Sequence, residues 1–165
     1  MHDPIYLKDE HRMLRDQLRR FIEVEVTPNG EAWEAAGMVP RDVLKRMGEL
    51  GFFGIRYPEA FGGSELDTIA TMVLSEEMGR STFGGFAVTV LVHTDMASPH
   101  LVNAGNDEQK ARFLEKVVSG ELITAVGVTE PDAGSDVAAI RARATRTDGG
   151  WVLNGTKMFI TNGVH

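Results

Sequence analysis

The feature that most constrains this chain is a change of periodicity at Gly120. Before it, apolar residues recur at helical spacing; after it, short β-prone runs alternate with glycine turns. Leu7, Leu14, Leu18, Phe21 and Ile22 fall on one helical stripe, which Pro28-Asn29-Gly30 ends. A short helical piece is expected at 32–36. Pro40 opens a helix over 41–50, with Val43, Leu44, Met47 and Leu50 on one face and Gly51 as its stop. Tyr57-Pro58 and Gly62-Gly63 mark a loop. Asp67 caps a helix running to 78, with Ile69, Met72, Val73 and Met78 inward. A longer apolar helix spans 85–103, and Pro99 within it should kink or divide it. Asn106 and Gln109 have nearly the form of a capping box for a helix that ends at Ser119-Gly120.

Residues 122–128 are short, apolar and β-prone, and 140–146 alternate with arginines at 141, 143 and 146. Asp148-Gly149-Gly150 and Asn154-Gly155 are turn signals around a strand at 151–153, and a last strand is expected at 158–160. The expected fold is mainly α with a β portion. A helical bundle domain over 1–120 precedes the first strands of a β-barrel-like domain over 121–165. A sheet begun so late has open edges, so the chain reads as a fragment or as one that another chain completes.

Composition narrows the function classes. An apolar share of 42% allows a real core. The net charge of −7 and the interleaving of Arg12, Arg15, Arg19 and Arg20 with Asp9, Glu10, Asp16 and Glu23 read as a solvated helix face, not a nucleic-acid face. There are no cysteines, so disulfides, thiolate metal sites and cysteine nucleophiles are excluded. The first ten residues have neither a secretory nor a transit pattern, and no apolar run nears the ~18 residues of a membrane span. The chain is expected to be soluble and cytoplasmic. His2, His11 and His165 lie near ends or exposed faces, and His93 and His100 could share a helix face. No third ligand has suitable spacing, so no metal site is expected.

Two segments could carry chemistry. Residues 126–136, Val-Gly-Val-Thr-Glu-Pro-Asp-Ala-Gly-Ser-Asp, run from a β stretch into a turn with hydroxyls at Thr129 and Ser135 and a close approach at Gly134. Such a loop either cradles a phosphate or forms a capped turn. It has neither the Walker spacing nor the dinucleotide glycine pattern. In Lys157-Met158-Phe159-Ile160-Thr161-Asn162-Gly163, Phe159 and Thr161 would lie on one side of a strand and could stack on a planar ring and bond its edge.

Together these segments resemble the acyl-CoA dehydrogenase family. Val128 to Asp136 matches its V-T-E-P-x-A-G-S-D signature. Lys157 to Gly163 matches K-M-W-I-T-N-G with Phe159 in place of Trp. Tyr57-Pro58 through Gly62-Gly63, Glu76-Glu77 and Ala104 to Lys110 extend the resemblance over essentially the whole chain. Ala32-Trp33-Glu34, His93-Thr94-Asp95 and Phe159 are most similar to the long-chain branch.

The resemblance implies FAD as cofactor and α,β-desaturation of an acyl-CoA, with electrons leaving to an electron-transferring flavoprotein. It implies a homotetramer or homodimer for the full-length protein. Val126, Val128, Thr129, Gly134, Ser135, Phe159, Ile160 and Thr161 would hold the flavin: Thr129 at the pyrimidine end, Ser135 at the pyrophosphate and beside the acyl-CoA, Phe159 on the ring face, Thr161 near N5. Val88, Thr89, Val92 and Met96, with Ser135, would line the acyl site, and the spacing of Thr89, Val92 and Met96 puts them on one helical face. The family's catalytic Glu comes from a C-terminal helical domain, so no catalytic residue is assigned in this sequence. Glu130 and Asp136 read as turn, cap and ion-pair residues, and Glu76 and Glu77 as solvated or paired. The fragment alone is expected to be inactive and to bind FAD weakly. An acyl-CoA oxidase or flavin monooxygenase of the same fold, or a non-catalytic binding or assembly module, are the alternatives.

Overall fold

Helix ends in this chain follow local chemistry closely. The structure is a computed structural model that describes residues 5–165. Helix α1 (Asp9–Phe21) begins with Asp9 and Glu10 and ends with Arg19 and Arg20, each charge matching the helix dipole. It continues through one π turn, Ile22–Val26. Helix α2 (Gly30–Ala36) stops at Gly37, which takes the left-handed conformation at φ 72°. Helices α3 (Arg41–Glu49), α4 (Thr68–Arg80), α5 (Gly84–Leu91), α6 (Ser98–Ala104) and α7 (Asp107–Val118) follow. The Asn106–Gln109 capping box forms, with reciprocal bonds of 2.8 and 3.0 Å.

The helices enclose one main core built on Leu18, Leu44, Met47, Phe52, Phe53, Leu74, Met78, Phe86 and Val90. Each fully buried large apolar side chain contributes about 1.5–3 kcal/mol. Helix α1 packs along α4. Ala70, Val73, Leu74, Glu77 and Met78 form the buried stripe of α4. Met72 is 51% exposed, against its expected inward position: it sits two residues from both Ala70 and Leu74, so it faces away from them.

Two polar contacts fasten α1 to α4. Glu77, 1% exposed, is paired and not solvated: Arg19 bonds it at 2.7 and 3.3 Å, and Arg80 lies 3.4 Å away. His11 is fully buried, not on an exposed face. Its Nδ1 accepts from the Lys8 amide at 3.1 Å, which places the proton on Nε2, 2.8 Å from Asp67 Oδ1. The same oxygen caps α4 through the amides of Ile69 and Ala70. Burial pushes the Asp67 carboxyl up, but the Ala70 amide, His11 and Lys8 together hold it below the usual carboxylate range.

The expected helix over 85–103 is three pieces: α5, a π turn at Val92–Ala97, and α6. Pro99 falls in the first turn of α6, where its missing N–H leaves no bond unmade. The buried Tyr57 hydroxyl donates to the Thr94 carbonyl at 2.8 Å, tying the π turn to the loop before α4. No helix among the described residues is long and apolar enough to cross a membrane.

After α7, strands β1 (Arg143–Thr147) and β2 (Gly150–Asn154) pair antiparallel, Arg143 opposite Asn154 and Thr147 opposite Gly150. Every residue of the hairpin is exposed, including Trp151 at 63% and Leu153 at 79%. Residues 122–128 form no regular element and pair with no strand among the described residues. Their amides find other acceptors: Leu122 bonds Lys116 O at 2.9 Å, and Thr124 bonds His93 Nδ1 at 3.0 Å. The strand expected at 158–160 is a turn, with Phe159 at φ 56° and Asn162 at φ 66°.

Candidate functional site

The two sequence motifs meet through Glu130 and Lys157. Glu130 is 7% exposed. Its oxygens accept the amides of Arg141 at 2.7 Å and Ala142 at 3.0 Å, and Lys157 Nζ lies 2.9 Å from Oε1. Lys157 also donates to the Val128 carbonyl at 2.9 Å, and the Met158 amide donates to Thr129 O at 2.9 Å. The Lys157 ammonium, with the two amides, holds the Glu130 carboxyl down at about 2. Those amide bonds also explain why β1 starts at Arg143: Arg141 and Ala142 are already committed to Glu130. Glu130 takes the ion-pair role expected for it, and its partner Lys157 lies 27 residues away, beyond the reach of local sequence pattern.

Glu130→Gln removes the ion pair and leaves the 129–142 loop held by fewer bonds. The amides of Arg141 and Ala142 should then exchange with solvent at least roughly tenfold faster, read by hydrogen exchange. In the parent, the depressed carboxyl stabilises the fold above its ordinary value near 4.5, and that contribution is lost as pH falls toward about 2. Unchanged exchange at both amides would show that Glu130 does not hold this loop.

The 157–163 turn, which Lys157 ties to the anchored loop, borders a cavity of about 320 Å³ between α2, α5 and the turn. Ile160 and Thr161 line it, as do Val88 and Thr89. Thr161 is half-buried. Phe159, two residues away, is 86% exposed and does not line the cavity, so the two do not share a strand face. The reason is the backbone: left-handed residues at 159 and 162 turn the chain where a strand would alternate. A bulky residue at positive φ is an outlier of the kind that clusters at binding sites. Among the flavin candidates, Val126 and Thr129 are half-buried, Val128 is 41% exposed, and Gly134 and Ser135 lie exposed on the loop.

The acyl candidates divide. Val88, 45% exposed, and Thr89, 7% exposed, face the cavity. Val92 is buried at 5% and lies off the cavity, while Met96 is 54% exposed to solvent. The expected common face of Thr89, Val92 and Met96 fails because the π turn at Val92–Ala97 inserts an extra residue per turn and rotates Met96 away.

Asn162 is the site residue that sequence reasoning missed. It is 8% exposed and borders the cavity. Its Nδ2 donates to Thr89 O at 2.9 Å and Thr124 O at 3.2 Å, locking the turn to α5 and to the 122–128 segment. Both partners are carbonyls, so the amide can only be oriented with NH2 toward them. The Asn-Gly pair signals a turn, and asparagine tolerates the left-handed backbone. Its Oδ1 is buried without a protein partner.

His93 supports the same segment from behind. It is 1% exposed and does not share a face with the exposed His100. Nδ1 accepts from the Thr124 amide, Nε2 donates to Val117 O at 3.1 Å, and the ring meets Phe53 edge-on at 4.5 Å. Burial lowers its pKa to about 4, partly offset by the Val117 carbonyl. Among the described residues, no group of three or more His, Asp or Glu is placed to hold a metal ion.

Known proteins are similar to this chain in sequence and fold. The family model for the acyl-CoA dehydrogenase N-terminal domain matches residues 8–121, and that for the acyl-CoA dehydrogenase middle domain matches residues 125–165. The long-chain specific acyl-CoA dehydrogenase, mitochondrial, of Mus musculus is 39% identical over 154 residues, which are 93% of this chain and 35% of that protein. The crystal structure of acyl-CoA dehydrogenase from Geobacillus kaustophilus superposes with a TM-score of 0.93 at 39% identity, covering 99% of this chain and 42% of that one. An acyl-CoA dehydrogenase complexed with FAD from Bacillus anthracis superposes at 0.87 with 34% identity, covering 98% and 28%. The chain thus spans about a third of the length of the curated relatives it matches.

Proposed function

The chain belongs to the acyl-CoA dehydrogenase family, and from that premise we propose that it forms one wall of an FAD site and the adjoining acyl slot of an enzyme that desaturates an acyl-CoA. The observation that carries the reading is an unpacked aromatic ring, Phe159, on the same turn whose next two residues, Ile160 and Thr161, line the slot along α5. These residues fit a flavin. Phe159 offers a flat apolar face, and Val126 to Thr129 and Ser135 offer backbone and hydroxyl groups along the anchored loop. When bound, the flavin supplies the two-electron acceptor that takes hydride from the substrate's β carbon.

The chain's own residues position and shield. Asn162 ties the turn that carries Thr161 to α5 through Thr89 O, which puts Thr161 in the lining of the slot. Val88 and Phe86 present apolar surface that excludes water from an acyl chain lying along α5. The Glu130–Lys157 pair keeps the two flavin-facing segments in register. No described carboxylate is assigned the role of base.

Anaerobic addition of a long-chain acyl-CoA to the flavin-loaded full-length protein should bleach the oxidised flavin absorbance. In the same protein, Phe159→Ala should weaken FAD binding roughly tenfold, the worth of one aromatic stack. An unbleached flavin would overturn the proposed reaction. Unchanged FAD affinity would overturn the role of Phe159.

A further inference from the structure

The geometry points to Glu34 as the residue that bars acyl chains ending in a carboxylate from the slot, so that the site takes uncharged tails. The inference rests on the reading of the cavity as an acyl slot and specifies its substrate class.

Along α5 the slot extends at least from Gly85 to Thr89, about 6 Å at the helical rise. One end is marked by Asn162, bonded to Thr89 O next to Thr161. The other is marked by Glu34, whose Oε1 accepts the Gly85 amide at 2.8 Å. With the reacting carbons beside Thr161, the tail of an acyl chain runs toward Glu34.

Glu34 is held there by construction. The Gly85 amide is one of the unpaired donors in the first turn of α5, and the helix dipole favours a negative charge at that end. A Cβ on Gly85 would come within 3.0 Å of Glu34 Oε1, so the glycine makes room for the carboxylate. No Lys or Arg lines the slot. His165, at the Asn162 end, has its pKa lowered by burial and by Arg41. Glu34 lies at the solvent-facing end of the slot, so a terminal carboxylate reaching that end would meet its negative charge with no Lys or Arg among the lining residues to offset it. A methyl-terminated chain meets Trp33, Val39 and Phe86 and incurs no such repulsion.

The test uses the chain itself. Of its two tryptophans, Trp33 lines the slot and Trp151 lies on the exposed hairpin, so in a Trp151→Phe background the fluorescence reports on the slot. Dodecanoyl-CoA and ω-carboxydodecanoyl-CoA are titrated into this protein and into its Glu34→Gln variant. Gln keeps an oxygen for the Gly85 amide and removes only the charge, and thermal unfolding checks that both are folded alike. The parent should bind the methyl-terminated ligand at least roughly tenfold more tightly. Glu34→Gln should shrink that gap to within about threefold, and raised salt should narrow it in the parent. Equal binding of both ligands by the parent, or an undiminished gap in Glu34→Gln, would overturn the role of Glu34 and leave the slot standing. Binding of neither ligand would overturn the slot itself, and the inference with it.

Discussion

Replacing His93 with alanine should cost about 4 kcal/mol of stability at neutral pH. Three losses combine. The Thr124 amide loses its ring-nitrogen acceptor, and the Val117 carbonyl keeps only the Gly120 amide, at 3.2 Å. Phe53 loses its edge-on partner at 4.5 Å. A cavity opens at a position 1% exposed in the parent. The variant should also lose a pH dependence that the parent shows. His93 titrates near 4 when folded and near 6.5 when free, so between those values the unfolded chain binds the extra proton. Stability from this residue is therefore full above pH 6.5 and declines as pH falls toward 4, by a total on the order of 3 kcal/mol. Urea unfolding of parent and His93→Ala at pH 7 and pH 5 measures both effects. A loss below about 1 kcal/mol at pH 7 would remove His93 from the core's supports. An identical acid decline in the two proteins would assign that decline to other groups.

Gly48→Ala should destabilise by about 3 kcal/mol or more, although alanine in a helix interior ordinarily gains about 0.5–1 kcal/mol over glycine. Packing reverses the sign. A Cβ at Gly48 would lie 2.2 Å from both the carbonyl carbon and oxygen of Ser119 and 2.7 Å from the Gly120 nitrogen. These are backbone atoms at the end of α7, and they cannot swing aside as a side chain could. Gly120 is constrained from the other side: it takes φ 74°, and a Cβ there would sit 2.7 Å from Leu44 O. Helices α3 and α7 thus meet backbone to backbone. The substitution should lower the thermal midpoint by at least about 6 °C. A midpoint at or above the parent's would mean that the two helices separate freely.

Much of the helical part is legible in the sequence because its signals are local. Asp67, Asn106 with Gln109, and Gly51 act on amides and carbonyls within four residues, and the helices start and stop beside them. The change of character after Gly120 is likewise a matter of composition. The motif around Glu130 could be located from its residues, since small and hydroxylated side chains mark a turn wherever they occur.

What the tertiary structure alone decided depends on partners distant in sequence. His11 can be buried because Asp67, 56 residues on, accepts the hydrogen bond of its Nε2–H. Residues 122–128 form no ladder among the described residues, and His93, 31 residues before Thr124, takes the amide there that a neighbouring strand would have used. Met96 leaves the expected face because the π turn inserts a residue between elements held by Tyr57 and Thr124. Phe159 and Thr161 part company because Asn162 reaches 73 residues back to Thr89 and sets the turn around them. Periodicity assigns a side chain to a face only while the backbone stays regular. Here long-range hydrogen bonds outweigh regularity at the places where the slot is built.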